Sequence, residues 1–278
     1  MRRLRVPATT KVNGIEKFLR TVAESPLSVL LLDYDGTLAP FSVDRKKAVP
    51  YPGVRAILQE IVNIGRTRLI IISGRDAHDV EPLLRIRPFP EVWGAHGLQR
   101  LRTNGACEMP EIHPDALQAL VDAERWLGYQ GLDHMAEPKP GSLAVHWRAL
   151  DPNSAVKLRG KILLGWLPIA QRASLKVLEF DGGLELRVPD QDKSDAIATI
   201  LREIGPDVPV AYLGDDVTDE TAFRALQNRG LTVLVRREHR KTSARVWLKP
   251  PEELLEFLTL WRDACRATSL ARSASYSS

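Results

Sequence analysis

The chain has 278 residues, 44% hydrophobic and 27% charged, a composition that leaves room for one large core or two modest ones and excludes a fibrous or largely disordered protein. The net charge of +4 is mild and lies partly at the ends, on Arg2, Arg3, Arg5 and Lys11 and on Arg262, Arg266 and Arg272, so it supports attraction for anionic substrates rather than a nucleic-acid face. Two distant cysteines, Cys107 and Cys265, imply no disulfide framework; no run reaches the roughly 18 apolar residues of a membrane span, and the basic start has no apolar continuation, so the expectation is a cytoplasmic chain without membrane contact.

In chain order, the apolar run 27–32 predicts a buried strand ending in Asp33-Tyr34-Asp35-Gly36. Val54, Ile57, Leu58, Ile61 and Val62 fall at helical spacing, and Gly65 stops that helix. Residues 69–72 predict a second strand, ending in Ser73-Gly74-Arg75, and 92–93 a short third. Residues 98–102 and 106–109 flank Thr103-Asn104-Gly105, a hairpin signal. Helical patterns follow near 115–128 and 154–165; 143–147 is strand-like, and 175–180 and 184–188 flank a second hairpin turn, Asp181-Gly182-Gly183. Ala196, Ile197, Ile200, Leu201 and Ile204 then mark a helix, 208–213 a strand ending in Gly214-Asp215-Asp216, and 231–235 another strand. Residues 263–278 turn to Ala, Arg and Ser and are expected to be a disordered tail. Strands apolar on both faces, alternating with amphipathic helices, define an α/β fold with a Rossmann-like parallel sheet in 1–107 and 189–262. The hairpin-rich middle, 108–188, reads as a smaller inserted α+β domain.

Four polar clusters sit at strand ends or helix starts, where open α/β sheets bind ligands. Asp33 and Asp35, two apart beyond a strand, suit a nucleophile that attacks a phosphoryl group and an acid–base that protonates the leaving oxygen and later activates water. Ser73, Gly74 and Arg75 offer a hydroxyl and free backbone N–H groups as a phosphate cradle. Lys193 begins a helix, where a cation is disfavoured unless an anion faces it. Asp215, Asp216, Asp219 and Glu220 put four carboxylates in six residues, a density that calls for a hard cation such as Mg²⁺. Thr218 is expected to cap the helix that follows, with Asp219 and Glu220 serving its first turn.

With Asp-x-Asp-Gly-Thr-Leu at 33–38, Ser-Gly-Arg at 73–75, Lys193 and Gly-Asp-Asp-x-Thr-Asp-Glu at 214–220, residues 27–260 resemble the haloacid-dehalogenase-type phosphatases. The resemblance implies Mg²⁺ held by the Asp33 carboxylate, the Asp35 carbonyl and Asp215, and makes the inserted domain a cap. Gly94-Ala95-His96-Gly97, Glu137-Pro138-Lys139 with Ser142, His146 and Arg148, and Glu185-Leu186-Arg187-Val188-Pro189 are similar to segments of the trehalose-6-phosphate phosphatases. That likeness implies a sugar phosphate as substrate, with Glu137, Lys139 and Glu185 on sugar hydroxyls and Arg75 reaching toward the sugar. His146 and Arg148 alternate out of an apolar strand and read as structural. Departures from the pattern are Ala95, Ser194, Val188 and the prolines Pro138 and Pro140. The alternatives are another sugar phosphatase, acting on sucrose phosphate or a glycosyl-phosphoglycerate, a phosphomutase, and a non-catalytic sensor, which need not retain both acid and nucleophile.

Overall fold

Strand formation follows the apolar runs, because a strand covered on both faces needs apolar side chains at every position. The computed structural model describes residues 8–42, 44–189 and 192–275; Arg2, Arg3 and Arg5 lie outside them. The first part supplies α1 (Ala8–Glu24), β1 (Ser28–Leu32), α2 (Val54–Ile64), β2 (Thr67–Ile72), α3 (Ala77–Leu84), β3 (Glu91–Gly94) and the hairpin of β4 (Gln99–Leu101) and β5 (Cys107–Glu108). The middle supplies α4 (Pro114–Tyr129), β6 (Ala136–Lys139), β7 (Ser142–His146), α5 (Pro152–Arg172), β8 (Lys176–Phe180) and β9 (Gly183–Arg187). The chain returns through α6 (Lys193–Ile204), β10 (Val210–Gly214), α7 (Glu220–Leu226), β11 (Leu231–Val235), β12 (Val246–Leu248) and α8 (Glu252–Ser275).

Among the described residues these strands form an eight-stranded sheet, in the order β12-β11-β10-β1-β2-β3-β4-β5, and a four-stranded sheet, β6-β7-β9-β8. The large sheet is parallel from β12 through β3 and antiparallel in the β3–β4 and β4–β5 pairs. After β1 the chain builds outward through β2 and β3; after the insertion it builds the other way through β10, β11 and β12. The order therefore reverses beside β1, and the carboxyl ends of β1 and β10 flank the switch point where such sheets place ligands. Alternation along β1 divides the core: Leu30 and Leu32 face one layer with Leu58, Phe257 and Trp261, while Val29 and Leu31 face the other with Ile197, Ile200 and Phe223.

The small sheet is antiparallel throughout and packs one face on α4 and α5, with Trp166, Ile162, Leu143, Val145, Leu184 and Leu186 in its core. Its edge strand β6 carries Pro138, which an edge tolerates because one side of the strand needs no ladder N–H. The hairpin tip between β8 and β9 reaches the large sheet. Arg236 donates to Asp181 Oδ2 at 2.8 Å, the Asp181 N–H lies 3.3 Å from Asp216 Oδ2, and the Arg148 guanidinium stacks 4.3 Å from the Phe41 ring centroid.

The disordered tail expected over 263–278 is corrected for 263–275, where α8 continues to Ser275 and packs against α1 and α2; residues 276–278 lie outside the described residues. Cys265 is buried against Thr67, so an apolar stripe continues beyond Trp261 within an Ala- and Arg-rich helix. No helix among the described residues is long and apolar enough to cross a membrane.

Candidate active site

Asp33 follows directly on β1 and Asp215 on β10, and the parallel pairing of these strands brings the two carboxylates together. Gly36 makes the close approach possible: it turns at φ +83°, and a Cβ there would collide with the Asp215 carboxylate. Lys193, the first residue of α6, lies 2.7 Å from Asp33 Oδ1 and 2.6 Å from Asp219 Oδ1. Asp192 caps α6 through a reciprocal box with Asp195, so local side chains fix the backbone that aims the lysine. Lys193 is thus a buried cation facing anions, as its place at a helix start requires.

Asp219 has no spare acceptor site. Its Oδ1 takes Lys193 and the Tyr212 hydroxyl, and its Oδ2 takes the backbone N–H groups of Asp215 and Asp216 at 2.8 and 2.9 Å. The cap expected of Thr218 is corrected here. Asp216 is the N-cap of the short 3₁₀ turn before α7, and Asp219 completes its box, because carboxylates at these positions can satisfy several orphan N–H groups at once.

The electrostatics separate these acids. Burial pushes the Asp33 carboxyl up to about 7, against the pull of Lys193, with Asp219 and Asp35 adding to the rise. Burial and then Asp33 and Asp219 raise Asp215 well above its ordinary value. Although burial would raise Asp219, Lys193 and the hydrogen bonds hold it below the usual carboxylate range. Although burial would lower Lys193, Asp219 and Asp33 raise it.

Asp33, Asp215 and Asp219 form a buried group close enough to share a metal ion. The donor set fits one, and fits best at two of the three. Among the described residues the only hydrogen bond to the Asp215 carboxylate is a long one from Thr37, at 3.5 Å, and the same hydroxyl lies 3.3 Å from Asp33 Oδ2. Oxygens left this bare in a buried site suit a hard cation, whereas the four bonds to Asp219 make it the post that holds its neighbours.

Beside this cluster the Asp35 carboxylate is gripped by Arg75 at 2.6 Å to each oxygen, and Arg75 itself is buried. Arg75, which the resemblance sends toward the sugar, bonds Asp35 here. Ser73 Oγ accepts the Arg75 N–H at 3.2 Å, which folds Ser73-Gly74-Arg75 into a tight turn. Above that turn, Ala95 and His96 both adopt positive φ, 47° and 58°. Their N–H groups bond to Arg75 O at 2.6 Å and Ser73 O at 2.9 Å, and a Cβ on Gly74 would strike the His96 ring.

His96 joins this turn to the cap. Its Nε2 lies 3.1 Å from Glu185 Oε2. Glu185 is 2% exposed and also takes Ser142 Oγ at 2.8 Å and Lys139 Nζ at 3.4 Å, with Arg187 at 3.8 Å. Burial would raise Glu185, but His96, Lys139 and Arg187 hold it well below its ordinary range. Burial lowers His96 to about 4. Glu137 lies at the more open side, 2.6 Å from His146 Nε2 and 3.8 Å from Lys139. Glu137, Lys139 and Glu185 therefore form one cluster, tied to the Ser73-Gly74-Arg75 turn through His96. His96, Tyr212, Thr37 and Arg240 are the site residues that the sequence reasoning did not assign. The paired Ala95–His96 turn was the one available signal, through the Gly-x-His-Gly segment.

A capped parallel sheet with this acidic site at its carboxyl edge is the architecture of the haloacid-dehalogenase-like hydrolases. One such hydrolase, from Bacteroides thetaiotaomicron, superposes with a TM-score of 0.60 over 84% of this chain and 98% of its own at 16% identity. The C-terminal domain of C. albicans trehalose-6-phosphate phosphatase superposes at 0.78, covering 90% of this chain and 96% of that one at 21% identity. The trehalose-phosphatase family model matches residues 31–251, and the chain belongs to that family. Trehalose-phosphate phosphatases of Mycobacterium ulcerans (strain Agy99) and Mycobacterium tuberculosis (strain ATCC 25618 / H37Rv) are 31% and 30% identical over 84% and 85% of this chain. The chain spans 60% and 61% of the length of those two relatives.

Proposed function

We propose that the protein hydrolyses trehalose 6-phosphate to trehalose and inorganic phosphate, with Mg²⁺ as cofactor and an aspartyl-phosphate on Asp33 as intermediate. The observation that carries this reading is the Lys193 ammonium fixed between Asp33 and Asp219 at 2.7 and 2.6 Å, next to an Asp215 carboxylate short of positive charge. Mg²⁺ held by Asp33, the Asp35 carbonyl and Asp215 would neutralise phosphoryl charge and the repulsion among the acids.

Lys193 holds Asp33 by Oδ1, which fixes the carboxylate for attack on phosphorus. As the Asp33–phosphorus bond forms, the bond from phosphorus to the sugar oxygen breaks, and Asp35 gives that oxygen its proton. Asp35 then takes a proton from water, whose oxygen attacks phosphorus, frees Asp33 and releases phosphate. Ser73 Oγ and the Gly74 N–H hold phosphoryl oxygens, with the Arg75 N–H bonded to Ser73 Oγ and fixing that turn. Arg75 frees Asp35 for the leaving oxygen by moving to the anionic substrate. Glu137 and Lys139 take sugar hydroxyls, while Glu185, already saturated, orients Lys139, Ser142 and His96 and closes the cap.

The test is phosphate release from a panel of sugar phosphates. Trehalose 6-phosphate is expected to be the best substrate. Equal or faster turnover of sucrose 6-phosphate or a glycosyl-phosphoglycerate would overturn the sugar assignment, and formation of a second phosphosugar without free phosphate would overturn the hydrolase.

A further inference from the structure

Asp215 and Asp216 are held by their backbones from two directions. Their N–H groups point inward to Asp219 Oδ2, at 2.8 and 2.9 Å. Their carbonyls point outward to one side chain, Arg240: its Nε lies 3.2 Å from Asp215 O and its NH2 nitrogen 2.6 Å from Asp216 O. The remaining guanidinium nitrogen donates to Glu220 Oε1 at 2.5 Å and to Lys241 O at 2.9 Å. Glu220 is fixed in turn, because its Oε2 accepts the Ser243 N–H at 2.8 Å. Thus the loop after β11 folds behind the acidic turn and grips it with every nitrogen of one arginine. The peptide groups around Asp215 are satisfied on both sides, while among the described residues its carboxylate keeps only the long contact to Thr37. A pinned backbone with an unengaged side-chain oxygen is how a preorganised metal ligand is built.

We propose that Arg240, anchored by Glu220, is a positioning residue that sets the affinity of the Asp33–Asp215 site for its divalent cation. The inference rests on the reading of that site as a metal site. Two effects of Arg240 oppose each other. Its positive charge near a cation weakens binding, whereas its grip removes the reorganisation that free acidic peptides would need before coordinating. Geometry wins, because Glu220 already offsets the charge at 2.5 Å, and no other side chain among the described residues bonds those two carbonyls. Lysine cannot replace it: an ammonium cannot span both carbonyls and Glu220 in the plane that the guanidinium fork provides.

The experiment is titration of metal-free protein with Mn²⁺, followed by electron paramagnetic resonance, with thermal unfolding as the check of folding. Arg240→Met keeps the stem and removes the fork. Its Mn²⁺ dissociation constant is expected to rise about tenfold or more, the range seen when groups that orient metal ligands are removed. Arg240→Lys should recover little of this. Glu220→Gln, which leaves Arg240 in place but loosens its anchor, should show a smaller rise in the same direction. A role confined to folding predicts a lower melting temperature with unchanged Mn²⁺ affinity, and a dominant charge effect predicts tighter binding; either result in folded Arg240→Met overturns the proposal. If Arg240→Met does not fold, unchanged or tighter Mn²⁺ binding by Glu220→Gln overturns it. Wild-type protein that binds no Mn²⁺ would overturn the metal reading itself, and the clamp with it.

Discussion

The core and the cap each hold buried carboxylates around a lysine, and the two clusters follow opposite charge rules. In the core, Asp33 and Asp219 share Lys193 while Asp215 lies beside them without a salt bridge among the described residues, and Asp33 and Asp215 are pushed upward, Asp33 to about 7. In the cap, Glu185 has Lys139, Arg187, Ser142 and His96 around it and is held well below its usual range. A carboxylate cluster short of cations stores repulsion that a bound divalent ion relieves; a balanced one has no use for an ion. The balanced cluster instead presents fixed donors and acceptors, which is what recognition of neutral hydroxyls needs. On the proposed reading, the same residue types would serve a metal and phosphoryl group on one side and a sugar on the other, and the difference lies in the count of charges and partners.

The strongest way to break this comparison is Asp33→Asn. The change is nearly isosteric, keeps an acceptor for Lys193, and removes the nucleophile and one metal ligand, so turnover of trehalose 6-phosphate should fall by at least about 10³-fold. Because it also removes one of the crowded charges, the metal-free variant should melt no lower than metal-free wild type at pH 8, by calorimetry. Near-wild-type activity in the folded variant would sink the mechanism, and a large loss of stability would sink the charge argument. Chelation tests the same cluster without mutation. Excess EDTA should stop phosphate release, Mg²⁺ should restore it, and Ca²⁺, which takes more oxygens at longer distances, should not. Full activity in EDTA is the contrary result.

How far this contrast was legible in the sequence differs between its two sides. Asp33, Asp35 and Asp215 stand directly after apolar strands, so chain order alone assigns them a shared edge. Lys193 is legible because a cation at a helix start needs an explanation. The cap is less legible. Strand β6 is four residues with a proline inside, and only pairing with β7 makes it a strand, so Glu137 and Lys139 could be named without being placed. The saturation of Glu185 depends on His96, 89 residues earlier and on the other sheet's side of the molecule, and no local pattern reports such a contact. Arg240 sits in a basic loop where any arginine reads as surface. Helix α8 was misread because its composition resembles a tail, whereas burial of Trp261 and Cys265 decides its structure.

The cap side is sharpened by Glu137→Ala and Lys139→Ala. Removing a group that holds a sugar hydroxyl leaves a buried polar partner unsatisfied, a cost of roughly 1–3 kcal/mol. Each variant should then lose about 10- to 100-fold in kcat/KM for trehalose 6-phosphate and change little on a small aryl phosphate, which has no second sugar to hold. No change on either substrate would make these residues surface charges. Equal losses on both would make them supports of the cap's fold.

The smallest expected effect concerns the joint between the two clusters, and it appears in stability rather than rate. His96 is neutral in the folded protein: burial lowers it from 6.5 to about 4, and its Nδ1 has no hydrogen-bond partner among the described residues. Unfolding returns the imidazole to water, where it protonates near 6.5. Between about pH 6.5 and 4 the unfolded chain therefore binds more protons than the folded one, and this residue's contribution falls as the pH falls across that window. The shift sets an upper limit of about 3 kcal/mol on the loss. His96→Asn removes the titrating group and suits the positive φ at this position, where asparagine is among the better tolerated side chains. Its stability should lie below wild type at pH 7, because the bond to Glu185 is weakened. The gap should narrow steadily toward pH 4, measured by urea unfolding across that range. Glu185 acts in a separate window: its lowered value contributes stability above about 4.5 that is lost only at lower pH, so it does not mimic the His96 effect. A constant gap between wild type and His96→Asn from pH 7 to 4 would mean that His96 is not held neutral, and that the cap cluster is not sealed against the core.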